Sequence, residues 1–169
     1  MEHSTFEIRR RRAVDTVSLK VTAAAVRGLA FGYGADAETA GLADVDKFVG
    51  FLTQKVTANG ETLQSLLVPS SLLETDIKAG AYAELDPGVE EVDIEDGATS
   101  LSGLLVLAST GAISGSTAVD VGLNWDSGRL RVAQLGESFL YRVAAQLTPV
   151  NAGDVRIKVV YNPGTNKEV

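Results

Sequence analysis

The sequence reads as all-β: a small β-sandwich or a β-barrel-like (tulip-like) domain with an extended N-terminal arm. Three observations predict this. Apolar and polar residues alternate over short runs, the period of a half-buried strand. Seventeen glycines and only four prolines place tight turns between those runs. Hydrophobic residues make up 45% and aromatic residues 6%, so a core is affordable and is mostly aliphatic. The 169 residues fit one domain plus extensions: a basic arm over 1–15, a β-rich body over 16–162 and a polar tail over 163–169.

Arg9, Arg10, Arg11 and Arg12 form one run in a chain of net charge −7. Such a run is expected to be a solvated or mobile arm, either a disordered terminus without a role or an arm that orders on an acidic partner surface or a neighbouring subunit. It lacks the interleaved aromatics that nucleic-acid binding would favour, and the acidic body repels nucleic acid and anionic membranes.

The body opens with Val17, Leu19 and Val21 alternating with Ser18 and Lys20, a strand pattern. Gly28, Gly32 and Gly34 then break any helix begun at Ala23, so strand, tight turn, strand is expected. KFVGFLTQKVT (47–57) is the next strand, closed by the Asn59-Gly60 turn signal. Over 61–80 the leucines have partly helical spacing, but Pro69 prevents one continuous helix. That stretch is expected to hold a strand, a loop and one short helical turn.

Beyond it, Val92 and Ile94 alternate with Asp93 and Glu95, and SLSGLLVLAST (100–110) has the look of a buried strand. A hairpin turns at Asp126-Ser127-Gly128 between Val119, Val121, Leu123 and Leu130, Val132. Phe139, Tyr141 and Val143 form another alternating run, as do Val155, Ile157, Val159 and Tyr161 after the turn at 151–154. PGTNKEV (163–169) is expected to fray. Roughly eight or nine strands at this spacing argue for a sandwich or barrel.

Few residues are available for chemistry. The chain has one His, one Met, one Trp and no Cys, which removes disulfides and thiol catalysis. His3 has no second His, so a metal ligand or a Ser-His-Asp triad is not expected. Glu90, Glu91, Asp93, Glu95 and Asp96 are the densest acidic cluster, and alternation puts Asp93 and Glu95 on the outward, solvated face of a strand. Asp44 and Asp46 read as loop solubility. Trp125 is expected to cap one end of the core, with sugar stacking beside Asp126 as the alternative. No Gly-rich phosphate cradle surrounds Gly32 and Gly34, which read as turns. No apolar run approaches the roughly 18–20 residues that span a bilayer. The N-terminus has no apolar h-region, so it is not expected to be a secretory signal. No catalytic residue, cofactor or metal is expected.

The stretch AVRGLAFGYGADAETAGLADVDKFVGFLTQKVTANG resembles a segment of small tailed-phage head decoration (cement) proteins. The shared pieces are a V-x-G-x-A turn (26–30), a strand containing FVGF (47–51) and a turn at 56–60. The late AGDVRIKV (152–159) is similar to that group as well. The resemblance implies a β-rich module, often trimeric, on the outer surface of the capsid and made in the bacterial host cytoplasm. There it would bind junctions between major capsid protein subunits and stabilise the shell, as an enzyme-free structural virion protein. The implied partners are the major capsid protein and itself, as a homotrimer or dimer, with no nucleic acid and no membrane. The chain departs from a minimal decoration protein in its Arg-rich start and its Leu-rich stretch at 63–73. Arg9, Arg10, Arg11 and Arg12 are the candidate capsid or inter-subunit contacts, on charge contrast alone. Other readings stay open: a tail or other self-assembling virion component, a carbohydrate-binding β-sandwich using Trp125, or a hydrolase using the acidic cluster.

Overall fold

The computed structural model describes residues 5–23, 26–45, 47–55, 79–97, 103–106 and 120–167. Among these residues there are eleven strands and no helix. The protein is therefore all-β, with one six-stranded sheet and one closed five-stranded barrel. The chain divides into two compact units, residues 1–12 with 89–169, and residues 13–88.

The first unit holds β1 (Thr5–Arg11), β7 (Val89–Gly97), β8 (Gly122–Asp126), β9 (Arg129–Val132), β10 (Ser138–Leu147) and β11 (Asp154–Thr165). Their order across the sheet is β1-β7-β11-β10-β8-β9, every pair antiparallel. Alternation decides which face is core. Phe6, Val92, Ile94, Leu123, Tyr141 and Ile157 are all buried on one side. The β8–β9 hairpin turns on Ser127 and Gly128, at φ 51° and 83°. A two-residue loop with both φ positive matches the twist of the flanking strands, and Gly128 makes the second position cheap. The expected hairpin is therefore present, with Trp125 opposite Leu130 and Asp126 opposite Arg129.

The second unit holds β2 (Val17–Val21), β3 (Ala30–Tyr33), β4 (Thr39–Leu42), β5 (Gly50–Lys55) and β6 (Tyr82–Asp86). They close in the order β2-β4-β3-β5-β6, with β2 and β4 parallel and the other pairs antiparallel. Closure leaves no unpaired edge. Val21, Phe31, Phe51, Leu52 and Leu85 are fully buried. Small residues let so narrow a barrel close. A Cβ on Gly50 would lie 2.8 Å from the Asp86 backbone.

Several expectations are corrected. Residues 5–11 are not a projecting arm but an edge strand along β7, and Phe6 is in the core. The arginine run concealed the Thr5-Phe6-Glu7-Ile8 alternation in front of it. The tail does not fray at 163, because β11 runs through Thr165 and Asn166 donates from Nδ2 to the Ala133 carbonyl at 2.8 Å. Gly32 is not a turn: it lies inside β3, where a Cβ would collide with the Lys47 carbonyl. β6 matches no strand assignment from the sequence, since Asp86-Pro87-Gly88 hides its end. Of the apolar stretch 100–110 the structure describes 103–106, where Leu105 makes an isolated parallel bridge to Leu130. The Asn59-Gly60 turn and residues 61–78 lie outside the described residues.

Candidate functional site

β7 carries the acidic cluster, and its two flanking strands decide what the cluster is. Val92, Ile94 and Asp96 share one face of β7, while Glu91, Asp93 and Glu95 share the other. The register sets Asp93 between Glu7 of β1 and Lys158 of β11, and Glu95 beside Arg156. β1 is irregular between Ile8 and Arg10, and Arg9 reaches Asp93 from there.

An ion-pair network results. Arg9 Nε donates to Asp93 Oδ2 at 2.8 Å, and Lys158 Nζ donates to Asp93 Oδ1 at 3.0 Å. Arg9 Nη2 is 2.9 Å from Glu7, Lys158 Nζ 3.8 Å from Glu91, and Arg156 Nη2 3.8 Å from Asp93. Asp93 is only 5% exposed. Burial pushes its carboxyl up, but the hydrogen bonds from Lys158 and Arg9 outweigh that and hold it below the ordinary value. The same Asp93 bond holds the Arg9 guanidinium above its ordinary value.

Glu95 and Asp96 are buried for different reasons. The Glu95 carboxylate accepts hydrogen bonds from the backbone N–H groups of Val150 (3.1 Å) and Asn151 (3.2 Å), fixing the β10–β11 turn. Asp96 Oδ2 accepts from the N–H groups of Leu104 at 2.9 Å and Leu105 at 3.0 Å. These carboxylates hold backbone in place.

The expected solvated acidic face is thus corrected. Asp93, Glu95 and Asp96 are buried, and Arg9, Arg156 and Lys158 meet the outward pair. A carboxylate already bonded to cations or backbone N–H groups is a poor general acid and a poor metal ligand. Among the described residues no group of three or more His, Cys, Asp or Glu could hold a metal ion.

The four candidate arginines take separate places. Arg9 is bonded to Asp93 and Arg10 Nε lies 3.1 Å from Glu90. Arg11 is exposed at the end of β1, and the Arg12 guanidinium stands 4.2 Å over the Tyr161 ring. Sequence reasoning missed Arg156 and Lys158. Their signal was present, because two bases alternate with Val155, Ile157 and Val159 just as the acids alternate on β7.

Trp125 is 3% exposed and meets Tyr141 edge-to-face at 6.1 Å. It is core, not a platform open to a sugar, while Asp126 is exposed at the hairpin turn. Asp44 is exposed; His3 and Asp46 lie outside the described residues. A separate ion pair, missed from sequence, braces the turn before β10. Arg131 meets Glu137 in bidentate fashion at 2.9 and 2.9 Å. Those bonds hold the Glu137 carboxyl below its ordinary value.

No family model matches the chain, and no curated protein or solved structure matches it.

Proposed function

We propose that this chain is a structural virion protein that binds the outside of a tailed-phage capsid at junctions between major capsid proteins and stabilises the shell. The resemblance of residues 26–60 and 152–159 to head decoration proteins supports the reading. The structural observation that carries it is the strand β1. It presents the basic run in fixed geometry on an acidic protein, with the Arg10 side chain 57% exposed and Arg11 exposed beside it. A shell protein binds by area, shape and repetition over symmetric sites, and needs no reactive group. Arg9 is held by the buried Asp93 and Arg12 stacks on Tyr161, so exposure narrows the contact set to Arg10, which pairs with Glu90 at the surface, and Arg11.

The test is co-sedimentation of the purified chain with expanded shells of the phage that encodes it, stripped of their own decoration protein. Saturable binding at a fixed ratio to the major capsid protein is expected. The variant carrying Arg10→Ser and Arg11→Ser should bind more weakly, and the wild-type chain should lose affinity as salt screens the contact. Absence of wild-type binding, or self-assembly into closed rings or tubes without shells, overturns the proposal.

A further inference from the structure

The chain leaves and re-enters its first unit on two paired strands. β1 and β7 are neighbours in the six-stranded sheet, and Arg11 is the register partner of Val89. The chain leaves the first unit after Arg12 and re-enters it at Val89, so exit and entry lie side by side on paired strands. Residues 13–88 therefore occupy the place of a hairpin turn. Within that stretch, β2 to β6 hydrogen-bond into a closed ring, so the inserted segment satisfies its own ladder. It also has its own core around Phe31, Phe51 and Leu85, all fully buried. The six-stranded sheet lies in the other compact unit, residues 1–12 with 89–169, where Ile94, Leu123, Tyr141 and Ile157 are buried.

We propose that residues 13–88 are an inserted barrel that unfolds as its own cooperative body, separately from the sheet into which it is inserted. Adjacent exit and entry points are the geometry in which one fold can be spliced into another without disturbing the host's register. Each body then keeps its own two-state transition. The inference holds whatever the chain binds.

The chain has one tryptophan, Trp125, and it packs within the six-stranded unit. Its fluorescence therefore reports that unit, whereas far-ultraviolet circular dichroism reports both. The experiment follows thermal unfolding of the full chain by both signals in three proteins: wild type, Leu85→Ala in the barrel, and Ile157→Val in the sheet. Leu85→Ala should lower the midpoint of one dichroism phase by roughly 10 °C or more and leave the Trp125 midpoint in place. Ile157→Val should move the Trp125 midpoint and spare the other phase. If Leu85→Ala unfolds the barrel entirely, an unmoved Trp125 transition supports the proposal just as well. A Trp125 transition that shifts with Leu85→Ala, or a Trp125 already exposed in that variant without heating, overturns it.

Discussion

Arg9 and Asp93 are locked together across two strands, with Nε 2.8 Å from Oδ2, although they are 84 residues apart in the chain. The pair joins the first strand to the seventh and converts a basic terminus into part of a sheet. Asp93 is its hub, because Lys158 approaches the other carboxylate oxygen from β11 at 3.0 Å. One side chain thus ties three strands.

Asp93→Ala removes that hub and leaves Arg9, Arg156 and Lys158 without it. These cations reach water, so they rehydrate rather than stay stranded. The expected loss is about 1.5–3 kcal/mol, the range for hydrogen bonds to charged groups. Urea denaturation followed by Trp125 fluorescence should read it as a lower midpoint of the six-stranded unit with an unchanged slope. An unchanged midpoint would mean that the network contributes nothing.

The pH dependence follows from the same carboxyl. Its folded value lies below the ordinary value of 3.8, so in acid the unfolded chain takes up a proton first. The stabilisation is complete above the ordinary value and is lost as pH falls through the lowered folded value. Glu137 acts in the same direction through Arg131. Unfolding midpoints measured from pH 6 downward should therefore fall in acid, and Asp93→Asn should fall less steeply than wild type. Equal slopes would show that other groups dominate.

Gly103 faces the carboxylate of Asp96, and a Cβ there would overlap both oxygens. Gly103→Ala must displace either the loop or Asp96, which breaks the bonds to the Leu104 and Leu105 N–H groups. A cost of about 1–3 kcal/mol is expected, as for overpacking. Hydrogen exchange should show faster exchange at Leu104 and Leu105. Unaltered protection there would contradict the Asp96 contact.

Tyr141 donates its hydroxyl to the Val89 carbonyl at 2.8 Å while its ring touches Trp125 and Tyr161. Tyr141→Phe keeps the ring contacts and deletes one buried hydrogen bond, so about 0.5–1.5 kcal/mol should be lost. Tyr141→Ala should cost more, about 3–5 kcal/mol, because a cavity opens beside Trp125. Trp125 emission should be near wild type in the first variant and red-shifted in the second.

Much of the fold was legible because strand period and turn chemistry are local. The β8–β9 hairpin, β2, β10 and most of β11 lie where alternation and Gly placement put them. β1 was not legible, since four arginines outweigh the single buried Phe6 in any reading of composition. The acidic cluster was legible in position and wrong in environment. Alternation correctly separated Asp93 and Glu95 from Val92 and Ile94. It could not show that Arg9 and Lys158 would cover the polar side.

The sequence by itself determined an all-β chain with an aliphatic core, its main turns, and a face of β7 reserved for carboxylates. Those properties depend on neighbours a few residues apart. Tertiary structure alone decided that residues 5–11 are a strand, that Asp93, Glu95 and Asp96 are buried and bonded to cations or backbone N–H groups, and that β2 to β6 close into a barrel of their own. Each of these depends on which distant strands pair and in what register, as Arg11 does with Val89 and Asp93 with Lys158. Local pattern names the face a side chain takes, and only strand pairing names what stands opposite it.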